Sequence, residues 1–148
     1  MNNQDQVNKL NELITANYDA EAGYKQVAER ADHAELKTQF TNYAQQRYDF
    51  GHEIKDQISK LGGEVEKGSS VGAGLHRTWI AIKETLSTQG DDEAILEEVV
   101  RGEEHALEHY QEVANALPVG SSARNIVEMQ RNKISAALEE MKLREKLS

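Results

Sequence analysis

Two ionisable residues interrupt stripes that are otherwise apolar. Arg47 falls within Leu36, Phe40, Tyr43, Phe50, Ile54, Ile58 and Leu61, and Glu103 within Leu96, Val99, Ala106, Tyr110, Val113 and Leu117. Steps of three and four residues mark the face of a helix turned towards a core. A charge there must be paired or neutralised. Helical bundles use mid-core carboxylates in two ways. One is a di-metal centre held by Glu and His side chains. The other is a buried ion pair with arginine.

The di-metal reading requires a Glu from each of two helices and Glu-x-x-His from each of the other two, all facing inward. At about 100° per residue, Glu21 lies within about 40° of its seam centre, whereas Asp19 is on the far side. Glu103 is central, while Glu98, Glu104 and His105 point away. Asp49 and His52 have the right spacing but sit roughly 150° from their seam. The last helix offers no inward Glu-x-x-His: Glu128 is followed by Arg131, and mid-level positions are Ile134, Ala137 and Leu138. At most Glu21 and Glu103 are thus left as carboxylates for an alternative metal site, whose other ligands are not recognisable in the sequence. Iron or manganese would be the metal, with oxidase or ferroxidase chemistry.

Arg47 occupies the layer where a metal would need an anion. A guanidinium cannot ligate metal and is always charged. The preferred reading therefore has no catalytic residue and no cofactor. Arg47 supplies to Glu103 and Glu21 the positive charge that a metal would bring. Asn17, Tyr24, Tyr110 and Gln130 complete this buried polar layer, with Tyr43 on the same seams. The five histidines, His33, His52, His76, His105 and His109, avoid the seam centres, and the His105/His109 pair reads as a solvated face. Gly63 to Gly68 has phosphate-loop glycine spacing, but Ser69 stands where lysine is required. Tyr18 and Tyr48 flank the seams at similar levels, as expected of a covered groove or a subunit contact.

These residues need long helices to hold them. The periodicity predicts helix 1 over about Gln4 to Ala31, and helix 2 from a cap at Asp32, with Glu35 in capping-box spacing, to about Leu61. Gly62 and Gly63 stop helix 2. A Gly/Ser-rich stretch to Gly74 reads as loop. A short helix follows at about Leu75 to Leu86, with Trp79 as its apolar anchor. Helix 3 begins after Gly90 with acidic Asp91, Asp92 and Glu93, and ends at Pro118 and Gly120. Helix 4 starts at Ser121 or Ser122. Two short joins make two antiparallel hairpins. The long join between them is the single crossover of a ferritin-like all-α four-helix bundle, and it makes helices 2 and 3 parallel.

The 148 residues suit one domain, 1–148. No cysteine is present, so neither disulfides nor thiolate metal sites arise. With 17 basic against 26 acidic residues the net charge is −9. That disfavours nucleic acid and anionic membranes as partners. The first residues lack the basic and apolar runs of a signal peptide, and no stretch is apolar enough to span a bilayer. The expectation is a cytoplasmic protein that forms a homo-oligomer or binds a protein partner.

Several short motifs together carry a resemblance. They are Leu10-Asn11-Glu12-Leu13-Ile14, Asp19, Gly23-Tyr24, Arg47, Leu61-Gly62-Gly63-Glu64, Gly68-Ser69, Leu75-His76-Arg77 with Trp79, Ile95-Leu96-Glu97-Glu98, and Arg101-Gly102-Glu103 with Tyr110. Over nearly its whole length the chain resembles a bacterial family of ferritin-like bundles known as domain of unknown function 2383. That family is distantly similar to rubrerythrin-type and YciF-like stress proteins. The resemblance implies the fold but no established reaction; a stress-related role is an expectation beside it. Many members carry a His near the position of Leu138, which this chain lacks, and that weakens a metal site carried over by analogy.

Overall fold

The computed structural model describes residues 1–66 and 92–147, and in them four helices and no strand. They are α1 (Asn3–Arg30), α2 (Ala34–Lys60), α3 (Asp92–Ala116) and α4 (Ser122–Leu147). The expected crossover helix with Trp79 lies outside the described residues.

Helix ends follow local chemistry, with one exception. The Asn2 side chain accepts a hydrogen bond from the Asp5 amide at 2.8 Å and caps α1. Gly62 adopts a positive φ of 75°, and the Gly63 amide donates to the Ile58 carbonyl, closing α2. Ser121 Oγ accepts from the Arg124 amide at the start of α4. The exception is the start of α2. Its N-cap is His33, without a side-chain cap bond, not the expected Asp32. Instead the Asp92 carboxylate, from the first turn of α3, accepts the amides of Asp32 at 2.7 Å and His33 at 3.1 Å. Orphan amides at a helix start attract a carboxylate. Here the one that wins is near in space and remote in sequence.

Contacts between helices fix the topology. Asn17 meets Tyr110, and Glu12 meets His109, whereas the later residues Asp32 and His33 meet the earlier Asp92. α1 is therefore antiparallel to α3. Gln130 meets Phe50 and Glu140 meets Tyr43, so α4 is antiparallel to α2. Since α1 and α2 also form an antiparallel hairpin, α2 and α3 run parallel. They lie on a diagonal, because the packed pairs are α1 with α2, α3 with α4, α2 with α4 and α1 with α3.

The apolar interior divides in two. One cluster gathers Tyr24, Val27, Leu36, Phe40, Val99 and Met141 with their neighbours. The other gathers Leu10, Leu13, Ile54, Ile58, Val113 and Val127 with theirs. Asn17 and Arg47 are buried where the clusters meet, Glu103 is buried among the first cluster and Gln130 among the second.

Candidate functional site: a polar layer across the bundle

Arg47 and Glu103 enter the layer from the middle of α2 and α3, at positions where each seam points to the bundle axis. Their side chains are 2% and 1% exposed. Arg47 Nη2 donates to both Glu103 oxygens, at 2.5 Å to Oε1 and 2.6 Å to Oε2. Burial works against the charged guanidinium, but the Glu103 carboxylate outweighs it and holds the arginine pKa above its ordinary value. The guanidinium carbon lies 6.0 Å from the centre of the Tyr24 ring. That ring packs in turn against Phe40 and Tyr43. Burial, then the Glu103 charge, raises the Tyr24 phenol well above 10.0. Tyr24 therefore stays protonated beside the carboxylate.

A second hydrogen-bonded system crosses the same level. Asn17 Nδ2 donates to the Leu13 carbonyl at 2.8 Å and to the Tyr110 hydroxyl at 2.7 Å. The Tyr110 hydroxyl donates to Gln130 Oε1 at 2.7 Å. Gln130 Nε2 then donates to the Phe50 carbonyl at 3.2 Å and to Glu53 Oε1 at 3.1 Å. The chain thus leads from α1 through α3 and α4 to α2. It ends at a polar groove of about 440 Å3 between α2 and α4, lined by Asn42, Asp49, Glu53 and Lys133 among others. Burial is the main cause raising the Tyr110 pKa. Nearer the far end, Tyr43 donates to Glu140 Oε2 at 2.8 Å and accepts from Gln39. Burial, followed by that bond to Glu140, raises its phenol as well.

Of the residues expected in the layer, the structure joins Arg47, Glu103 and Tyr24 in one group and Asn17, Tyr110 and Gln130 in another. Glu21 goes elsewhere. Its carboxylate meets Lys25 Nζ at 2.8 Å, one turn along α1. Glu before Lys at this spacing is a favourable helix pair. The residues present do not fit a di-metal centre. Both Glu103 oxygens accept from a guanidinium, Glu21 is held by a lysine, and no cluster of three metal-ligating side chains occurs among the described residues. The arrangement fixes opposite charges at the axis of the bundle and leaves neither Glu103 oxygen free of the guanidinium.

Several polar contacts have no forerunner in the sequence, three of them between side chains of different elements near the layer or the helix ends. Glu53 closes the Gln130 chain, yet it sits off the α2 seam. His109 Nε2 meets Glu12 at 3.2 Å between α3 and α1. His33 Nδ1 meets Asp92 at 2.6 Å. Each pairs residues of different elements, at least one of them off its seam centre, and helical spacing carries no signal for that.

Against known proteins, no curated protein matches the chain. Its fold is similar to that of the bacterioferritin-related protein from Bacteroides fragilis, described as a dodecameric thioferritin. The TM-score is 0.74 at 18% identity, covering 96% of this chain and 84% of that one. At such identity the likeness is one of fold. Residues 5–116 match a family model described as a domain of unknown function, DUF2383. With most of its length so matched and its helices in ferritin-like order, the chain belongs to the DUF2383 family.

Proposed function

We propose that this chain is a non-catalytic ferritin-like bundle in which an Arg–carboxylate layer stands in place of a di-metal centre, and that it acts by associating with itself or with a protein partner in the cytoplasm, in a stress-related role. One observation carries the first part: both oxygens of the central carboxylate, Glu103, are taken by Arg47 Nη2. A metal would have to displace a guanidinium that cannot lose its charge. Self-association draws support from the dodecameric state of the Bacteroides fragilis protein with the same fold. The stress-related role rests on the resemblance to YciF-like proteins. The net charge of −9 argues against nucleic acid and anionic lipid as partners.

The competing reading is an iron or manganese protein using Glu21 and Glu103. Metal analysis of protein expressed with added iron and manganese separates the two. The proposal expects far less than one metal per chain and no ferroxidase activity. Stoichiometric metal that disappears in Glu103→Gln would overturn it.

A further inference from the structure

We infer that residues 61–66 are a strap which the start of α1 grips in one register, and that a single side chain, Asn11, holds it closed. Two motifs noted in the sequence, Leu10-Asn11-Glu12 and Leu61-Gly62-Gly63-Glu64, meet here, with Asn11 and Glu64 53 residues apart along the chain. After the turn at Gly62 the chain is extended, and burial alternates along it. Leu61, Gly63 and Val65 are half-buried, while Gly62, Glu64 and Glu66 are exposed. A period of two is that of a strand-like segment with one covered face. Leu61 and Val65 pack on the second apolar cluster, which includes Val7 and Ile58.

The grip is in step with the helix. Asn3, Val7 and Asn11 stand one above another on α1, about 6 Å apart at four-residue spacing. Two residues of extended chain advance about 6.6 Å. Successive strap positions therefore meet successive turns of α1. Asn3 Nδ2 donates to the Leu61 carbonyl at 3.4 Å. Gly63 lies so close to Val7 that a Cβ there would collide with the valine methyls. Asn11 Nδ2 donates to the Glu64 carbonyl at 3.1 Å, and its Oδ1 accepts from the Glu66 amide at 2.9 Å. Asn11 is 3% exposed, and a buried amide must find partners. It finds them on the backbone either side of Val65, groups that a neighbouring strand would otherwise satisfy. Gly63 supplies the register, because any side chain there forces the strap off Val7. Both bonds to residues 64–66 come from one side chain, and neither belongs to a helix. The strap can therefore open while the helices stay closed. Opening strips Leu61 and Val65 from the end of the second cluster and frees the chain where it leaves α2.

Amide hydrogen exchange on the full chain tests this. In the wild type the Glu66 amide is expected to exchange on the order of tenfold more slowly than a free-chain amide, the scale of one or two net hydrogen bonds. Its rate should stay flat in low urea, as for local opening, whereas amides of the helix core quicken. Asn11→Ala should bring Glu66 close to the free-chain rate and speed cleavage by a glutamate-specific protease after Glu64 and Glu66. Helical circular dichroism should stay unchanged, and helix-core amides should change far less than Glu66. Gly63→Ala should release the strap too, and adding Val7→Ala to that chain should restore part of the protection. A Glu66 amide already at the free-chain rate in the wild type would overturn the closed strap. Protection that survives Asn11→Ala would overturn the role of Asn11, and full protection in Gly63→Ala would overturn the register. If Asn11→Ala quickens the helix core as much as Glu66, the strap opens only with the bundle and is no separate device.

Discussion

Arg47 reaches across the diagonal of the bundle to Glu103, joining two helices whose backbones do not otherwise come close among the described residues. Cutting that link should be costly from either side. Glu103→Ala leaves a buried guanidinium without its counter-charge, which costs on the order of 3–5 kcal/mol. Arg47→Met strands the carboxylate and should cost a similar amount. The double variant Arg47→Met/Glu103→Leu should recover most of the loss, because an apolar layer of matched volume avoids desolvating two charges. Urea melts in a double-mutant cycle give the coupling. Additive losses would mean that the two residues do not act as a pair.

Tyr110 stands between Asn17 and Gln130, receiving a bond from one and giving a bond to the other. Tyr110→Phe keeps the ring but deletes both bonds, leaving two buried amides short of a partner. The expected loss is about 1–3 kcal/mol, read from thermal or denaturant melts. A loss below about 0.5 kcal/mol would show that the chain contributes little, as for an ordinary surface substitution.

Alkaline pH should unfold this protein through its buried phenols. Tyr24, Tyr43 and Tyr110 all have folded pKa values raised above the ordinary 10.0. Between the unfolded and folded values the native state holds more protons than the unfolded chain, so stability falls as pH rises. The loss begins near the ordinary phenol value, about pH 10, and grows above it. Phenolate absorbance should show part of the tyrosine appearing only with the loss of helical signal. Full ionisation with helices intact would contradict the burial described here.

Acid probes the clip between hairpins. Asp92 is partly desolvated, yet its bonds to the Asp32 and His33 amides and the His33 ring hold its pKa below the ordinary 3.8. A depressed carboxyl contributes stability that is full above its unfolded pKa and is lost as pH drops through the folded one. The window therefore lies below about pH 4. Asp92→Ala should cost about 1 kcal/mol at neutral pH, as for the loss of a helix cap. It should also flatten the acid limb of the stability curve. An unchanged acid limb would show that other carboxylates govern it.

Residues whose partners follow from helix period were legible in the sequence. Arg47 and Glu103 each sit at a seam centre and about equally far along parallel helices, so their meeting needed only spacing and topology. The same reasoning put Asn17, Tyr110 and Gln130 inside. It did less well with residues at the seam edge. Glu21 lies near enough to the seam to point inward, but a flexible carboxylate at a boundary takes the closest cation, and Lys25 is one turn away. The Asp32 to Glu35 spacing imitates a cap, yet local geometry lost to a carboxylate some sixty residues on. Glu53 faces away from its own seam and is reached by Gln130 only because α4 packs beside α2. Such contacts depend on which helices are neighbours, knowledge that no single helix contains.

The split interior bears on how the chain folds. Each hairpin brings one half of the central ion pair, so neither hairpin can bury its charge until the other arrives. Arg47 must stay hydrated while the first hairpin forms, and water must leave the middle of the bundle last. The apolar clusters on either side can close earlier, since they strip no ions. Weakening the ion pair should therefore leave the refolding rate almost untouched and quicken unfolding, the behaviour of contacts made after the transition state. Stopped-flow chevrons of Glu103→Gln against the wild type would display this as a lifted unfolding arm. A refolding arm that drops instead would place the charges in the nucleus. On this account the guanidinium works as a latch: it sets how long the closed bundle lasts, and has little part in how quickly it is found.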